Sequence, residues 1–280
     1  MVRRRPGRRR RAVSVGAAEE LAGAVAAYSA SAQAWRRGPE RIYDRLAEVL
    51  VAHSPLPLAG CRVLDVGAGT GAAGRAALAA GAAAVVAVDA AAGMLAHDAG
   101  RRPPAVVGDA LALPLAGAVF DASVAAFSLN HLTDPGAGLR EMARVTRPGG
   151  ALVASSYAAD DGHPVRVAVE SALAARGWAP PPWARALREE ALVLLASVEG
   201  CAAAARAAGL DARIEALRVP FPELHGPALV AWRLGMAQHA PFVTRLPPPE
   251  RESLAADALA RLGSAPPLVR SILVVSAIRP

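Results

Sequence analysis

Two aspartates and three glycines set the chemical question in this chain. Val63 to Gly74 reads VLDVGAGTGAAG, with Asp65 two positions ahead of Gly67, and Gly69 and Gly71 following at alternate positions. A glycine turn between a strand and a helix lets backbone come close to a ligand. The helix N-terminus behind it offers free N–H groups and the positive end of a dipole. Two ligand classes use such a turn. Gly67-Ala68-Gly69-Thr70-Gly71 is GxGxG, whereas Gly69 to Gly74 is GxGxxG, the form that cradles a pyrophosphate. A carboxylate at Asp65 suits a ligand carrying an ammonium group and is awkward beside a pyrophosphate. The competing reading has Asp65 satisfied by N–H groups of the turn. Asp89 lies twenty positions after Gly69, where an acid takes both hydroxyls of a ribose. That acid serves either class, and a solvated turn is its alternative.

Further candidates lie downstream. Asp109 follows an apolar run and is placed to accept from an exocyclic amino group of a base, with the backbone of Ala110 or Leu111 against the ring. Met94 is placed to pack on the face of that base, or to fill core. His131 follows a fourth apolar run, at the edge where ligands bind in open α/β sheets. It is a candidate general base, with packing or capping beside the site as the other reading. Asn130 is placed to orient a substrate or to serve a turn. Tyr28 is placed to close the site, or packs with Trp35 and Tyr43. Trp232, Met236 and His239 stand at i, i+4 and i+7 and share one helical face, which lines an acceptor pocket or packs on the sheet. Its apolar character suits a small, fairly hydrophobic acceptor.

These residues need a scaffold, and the pattern supplies one. Residues 17–53 read as helix, interrupted at Gly38-Pro39. Strands follow at 62–66, 84–88, 105–107, 119–127 and 151–156, alternating with helices at 72–80, 91–99 and 135–145. Pro148-Gly149-Gly150 reads as a turn. Strand–helix alternation predicts a parallel sheet covered on both faces. Helices are expected at 164–176 and 184–208, and strands at 212–219 and 271–278. Two more helices, 226–238 and 248–262, fall in an insertion expected to form a substrate lid over 221–266. The organisation is then a disordered basic arm (1–16), a helical cap (17–58), a ligand-binding core (59–160) and a C-terminal part of the same domain (161–280).

The stretches VLDVGAGTG, VAVDAAAGML, VVGDALALPL, VFDASVAAFSLNHLTDP and LREMARVTRPGGALV, in this order and spacing, resemble the class I S-adenosylmethionine-dependent methyltransferases. They are most similar to the branch of ubiquinone and menaquinone biosynthesis, the methyltransferase type 11 group. The resemblance is strong over about a third of the chain. It implies a Rossmann-like α/β fold with seven strands in the order 3-2-1-4-5-7-6. It implies S-adenosylmethionine as cofactor and methyl transfer to a small organic acceptor at oxygen, nitrogen or carbon. By similarity Asp65, Gly67, Ala68, Gly69 and Gly71 hold the methionine portion, Asp89 and Ala90 the ribose, and Asp109 and Ala110 the adenine. Phe127 closes the cofactor side. Other readings stand beside it: a non-methylating protein on the same fold, an RNA methyltransferase, and a nicotinamide dehydrogenase.

Composition narrows the partners. The net charge is +7 among 280 residues, which points towards nucleic acid. Seven of the 31 basic residues, all arginines, lie within the first 11 positions, and the other 24 match 24 acids. The basicity therefore belongs to an arm, not to a face of the fold. No Asn/Asp-Pro-Pro-aromatic motif follows the fourth strand, and neither Cys61 nor Cys201 is placed for a covalent adduct; both points count against nucleic acid. The two cysteines give neither a disulfide framework nor a metal site and fit a reducing cytoplasm. No uncharged run is long enough to span a membrane. Oligomeric state leaves no mark in the sequence.

Overall fold

The computed structural model describes residues 15–97 and 100–280. The expected basic arm lies outside the described residues, except that Val15 and Gly16 already belong to the first helix. Helices α1 (Val15–Arg37) and α2 (Glu40–Ala52) precede β1 (Arg62–Val66), α3 (Ala72–Ala79), β2 (Ala84–Asp89), α4 (Ala92–Ala96), β3 (Ala105–Val107) and β4 (Phe120–Ala126). A short turn of helix, Leu129–His131, leads to α5 (Pro135–Val145) and β5 (Thr146–Tyr157). After α6 (Val165–Ala174), α7 (Pro182–Ala186) and α8 (Val198–Ala207) come β6 (Ala212–Phe221), α9 (Gly226–Leu234), α10 (Ala240–Arg245), α11 (Pro248–Leu262) and β7 (Leu268–Ile278).

The seven strands form one sheet in the order β3-β2-β1-β4-β5-β7-β6, parallel except where β7 pairs antiparallel with β5 and β6. The chain leaves β1 towards β2 and β3, then returns across it to β4. That reversal opens a crevice at the carboxyl ends of β1 and β4. Register puts the chemistry on this edge: Asp65 pairs with Ala87 and Val124, and Asp89 with Val107. The central strands are buried on both faces. Val63, Leu64, Val66, Val124 and Val153 are at most 1% exposed, as β-branched and leucine side chains under two helical layers should be. One layer holds α2, α3, α6, α9 and α11, with Leu46, Leu173 and Leu254 in its core. The other holds α5 and α8, with Leu139, Met142 and Cys201.

The strand count and order hold as expected, as does the break at Gly38-Pro39, while several later connections differ. The 17–53 helix breaks at Gly38-Pro39; a Cβ on Gly38 would meet Ala231 O at 2.4 Å, so glycine lets α9 approach there. Pro148-Gly149-Gly150 bulges within β5: Phe120 pairs with Thr146 but Ala122 already with Ala151. The helix expected over 184–208 is divided. After α7 comes a wide turn, Leu187–Ala191, then a tight one, Leu192–Leu195, and α8 starts afresh with Ser197 Oγ accepting from Gly200 N at 3.0 Å. A serine cap of this kind is a start signal that the surrounding alanines obscure. The helix expected over 226–238 stops at Leu234, and α10 follows.

The insertion between β6 and β7 does not lie over the crevice. Helix α11 packs on α6 and α9, and Leu229, Val230, Leu254 and Ala258 join the core beneath the sheet. The crevice is covered by α1 and α7, which contact each other.

Candidate active site

A cavity of about 320 Å³ opens at the carboxyl ends of β1, β2 and β4, within the size range of small-molecule sites. Its floor is the glycine turn. Gly67, Gly69 and Gly71 have φ of 68°, 55° and 92°, a region costly for side chains other than glycine. Gly67 is doubly required, because a Cβ there would lie 2.2 Å from the Cβ of Ser128. Ser128 Oγ donates to Val66 O at 2.7 Å, tying the end of β4 to the turn. Gly71 initiates α3 and faces Arg102, 2.8 Å from where its Cβ would be. It shapes the turn and does not line the cavity.

Asp65 is 1% exposed, and its two oxygens differ. Oδ2 accepts from Gly74 N at 2.7 Å. Oδ1 is buried and has no hydrogen-bond partner. A Cβ on Gly74 would sit 3.1 Å from the bonded Oδ2 and 2.8 Å from Pro103. The GxGxxG reading thus assigns Gly74 to a pyrophosphate turn, whereas in the fold it is a small residue against the carboxylate. Burial raises the Asp65 carboxyl to about 7, opposed by the Gly74 N–H and increased again by Asp89. An unpaired buried carboxylate oxygen costs several kcal/mol by transfer arguments, roughly 2–7 for a polar group. A cationic group beside it relieves that cost.

Asp89 is held at the end of β2 by two backbone donors, Gly69 N to Oδ2 and Ala91 N to Oδ1, each at 2.7 Å. Burial raises its pKa against the pull of these N–H groups. Each oxygen keeps a further lone pair for a hydroxyl. Asp109 is exposed at the rim and accepts from Leu111 N at 2.8 Å. That bond occupies Leu111 N–H, so among the two expected ring contacts Ala110 N–H is the one left. Met94 is 2% exposed, packs with Ala32 and Trp35, and lines the cavity. Ala68 and Ala90 line it as well.

Phe127, directly after β4, has φ of 53°, unusual for a bulky residue. Its ring stacks on Tyr157 at 4.4 Å and meets Tyr43 edge-on at 5.8 Å. His131 lies on the same wall, 5.6 Å from the ring of Tyr28. Burial alone lowers its pKa to about 4, so the imidazole is uncharged near neutral pH. Tyr28 descends from α1 and also meets Trp183 of α7, at 6.2 Å; burial raises its hydroxyl pKa.

The remaining substrate candidates are not on the cavity wall. Asn130 is 2% exposed with Oδ1 unpartnered, inside the turn after β4. Trp232 is 4% exposed in the core beneath the sheet. His239 is fully buried against Trp178, and Met236 packs among Trp35 and Tyr43 neighbours. Their expected common helical face does not form, because α9 ends at Leu234 and Gly235 follows. Instead Leu21, Val25, Trp183, Leu187 and Glu190 cover the cavity. Tyr28, expected to close the site, lines it from α1, whereas Trp183 and Leu187 of the second covering segment were not among the expected residues. Among the described residues no group of three or more His, Cys, Asp or Glu side chains is placed to hold a metal ion, and no helix is long and apolar enough to cross a membrane.

Comparison with known proteins agrees with the geometry. Residues 64–154 match the family model described as a methyltransferase domain. The demethylmenaquinone methyltransferase of Mycolicibacterium gilvum is 46% identical over 120 residues, covering 43% of this chain and 50% of that protein. Its Mycobacterium tuberculosis counterpart is 42% identical over 120 residues, 43% of this chain and 49% of that protein. The chain thus spans about half the length of the curated relatives it matches. Among solved structures, a chain from the complex containing the Haloferax volcanii Trm112 methyltransferase activator superposes with a TM-score of 0.57 at 20% identity, covering 90% of this chain and 97% of that one. Haemonchus contortus phosphoethanolamine N-methyltransferase 2, solved with S-adenosyl-L-methionine, gives 0.53 at 18%, covering 84% and 52%. The [4+2]-cyclase SpnF gives 0.51 at 22%, covering 85% and 81%. These likenesses establish the fold, which a cyclase shares with methyltransferases.

Proposed function

We propose that this chain is an S-adenosylmethionine-dependent methyltransferase acting on a small, fairly apolar organic acceptor. The observation that carries the reading is the unpartnered Oδ1 of Asp65, buried at the glycine turn of a cavity whose other anchor is Asp89. A ligand with an ammonium group satisfies that oxygen; a pyrophosphate does not. The fit extends along the cleft. Asp65 and the turn from Gly67 to Gly69 take the zwitterionic end, Asp89 the ribose hydroxyls, and Met94, Asp109 and Ala110 the base. The matched methyltransferase domain, residues 64–154, spans all of these.

The cofactor supplies an activated methyl group on a sulfonium. The protein contributes alignment and a dry pocket, because charge disperses as nucleophile and sulfonium neutralise each other. Leu21, Val25, Trp183 and Leu187 exclude water from above. His131 stays neutral at pH 7 and so places no like charge beside a sulfonium; a neutral imidazole also retains a lone pair for an acceptor's proton. Identity to the demethylmenaquinone methyltransferases favours a flat, quinone-like ring among acceptors, consistent with walls built from Tyr28, Phe127 and Trp183.

Incubation with methyl-labelled S-adenosylmethionine and a panel of apolar ring acceptors tests the activity. Labelled product should accumulate in step with S-adenosylhomocysteine. Tight cofactor binding without turnover on any acceptor would move the protein to the non-methylating uses of this fold.

A further inference from the structure

An arginine stands beside the cofactor turn where a helix does not favour one. Arg75 lies near the start of α3, close to the positive end of the helix dipole, and no acid accompanies it in the first turn. Its partners come from α2. Nη2 donates to Asp44 Oδ1 at 2.5 Å and to Glu40 Oε1 at 3.4 Å. Glu40 is 9% exposed, and its other oxygen lies 4.0 Å from Arg101. Nη1 of Arg75 donates to Thr70 O at 2.7 Å. Thr70 is 6% exposed between Gly69 and Gly71, and a buried carbonyl needs such a donor. A planar fork serves a carbonyl and two carboxylates at once, whereas a lysine ammonium is a single point.

The guanidinium therefore bears on both the shape of the turn and its charge. A Cβ on Gly71 would stand 3.6 Å from Nη1. Burial raises the Asp65 carboxyl against the Gly74 N–H; of its charged neighbours, Asp89 raises it further and Arg75 draws it down. Arg75 does not line the cavity, so it acts without meeting a ligand. Around the pair stand Asp89 of β2, Glu40 and Asp44 of α2, and Arg101 and Arg102 ahead of β3. Arg102 lies against Gly71, with its guanidinium turned to Leu95 O and Pro103 O. Helix α2 also sends Tyr43 into the cavity wall, so one bridge joins that wall to the cofactor turn.

We propose that Arg75 is a positioning residue for the cofactor: its guanidinium fixes the glycine turn through the Thr70 carbonyl and holds a cation near Asp65, and the carboxylates of α2 govern how strongly that cation acts. The role rests on the reading of Asp65 as the partner of an ammonium group. An ionised Asp65 is the form that binds one, so a cation held close but outside the cavity favours binding. The α2 carboxylates weaken its effect. Removing the arginine and removing its acid partner must then act in opposite directions, although each breaks the same bridge.

Calorimetry of S-adenosylhomocysteine into the full chain between pH 5.5 and 8.5 reads this. In the wild type, affinity should rise with pH and level off above about 7. In Arg75→Gln the break should move up by about half a pH unit or more, with affinity at pH 7 several-fold lower. In Glu40→Gln it should move down. Arg75→Lys keeps the charge and loses the fork, so the break should stay while affinity falls several-fold at every pH. Carbon-13 NMR of the Asp65 carboxyl in the free chain should show the same shifts without ligand. A break unmoved in Arg75→Gln, or moved the same way by Arg75→Gln and Glu40→Gln, overturns the role, since a bridge that only braces α2 against α3 acts equally at all pH. If Arg75→Gln gives no cooperative melt, an unmoved or raised break in Glu40→Gln overturns it. NMR shifts as expected, with no S-adenosylhomocysteine bound by the wild type, would instead overturn the cofactor reading.

Discussion

Asp65 is the residue on which the chemistry turns. In the free protein its carboxyl titrates near 7, raised from an ordinary carboxylate value by burial. A folded-state pKa above the unfolded one means that its contribution to stability is full at low pH and is lost as pH rises through 7. Asp89 is shifted the same way. Ligand binding runs opposite, because an ammonium group needs the ionised form. Cofactor affinity should therefore be roughly tenfold weaker at pH 6 than at pH 8. Calorimetry at the two values checks this. Asp65→Asn should bind weakly at both, without the slope; a wild-type affinity independent of pH would remove Asp65 from the site. The acids and glycines of the cleft were legible because their meaning is local: a turn with positive φ needs glycine, and an acid twenty residues on ends the next strand. Gly74 shows the limit of spacing, since its match to GxGxxG arises from close packing against Asp65 and Pro103.

Among the elements, α1 decides how the cleft closes. It crosses α4 where a Cβ on Gly93 would meet Ser29 O at 2.3 Å. Gly93→Ala must push α1 away, at a cost of about 1–3 kcal/mol. A lower Tm, faster proteolysis within residues 20–37 and weaker cofactor binding should appear together; an unchanged Tm and affinity would mean that α1 does not seal the cleft. The sequence pointed to α1 through Tyr28 and the helical cap over 17–58, but not to α7. Alanine fills both faces of these helices, so periodicity carries little signal there, and α7 lasts only from Pro182 to Ala186. The insertion after β6 was expected to be the lid because of where it falls in the chain. Its leucines settle the matter physically: Leu229 and Leu254, at 2% and 0% exposure, are buried in the sheet's own core.

For the whole molecule, the same distribution predicts that the insertion matters for stability before it matters for ligand. Leu254→Ala should cost about 2–5 kcal/mol, seen as a reduced denaturation midpoint. Cofactor affinity measured well below the transition should be unchanged. A selective loss of affinity with normal stability would restore a lid role to α11. The sheet order was readable because strand and helix alternate cleanly up to residue 157, and the resemblance supplied the final hairpin. The placement of Trp232, Met236 and His239 was not, since it depends on α9 stopping at Leu234, and a glycine inside an apolar run looks much like a tolerated helical one.

The most direct measurement is isothermal titration of S-adenosylmethionine and S-adenosylhomocysteine into the full chain and into Asp89→Ala. The variant loses charge-assisted hydrogen bonds to the ribose and a brace of the turn, so affinity should fall roughly 10- to 100-fold with folding retained. Saturable binding by the wild type and that loss in the variant are the predicted result. No binding of either ligand to the wild type, or equal binding by a folded Asp89→Ala variant, would contradict the account.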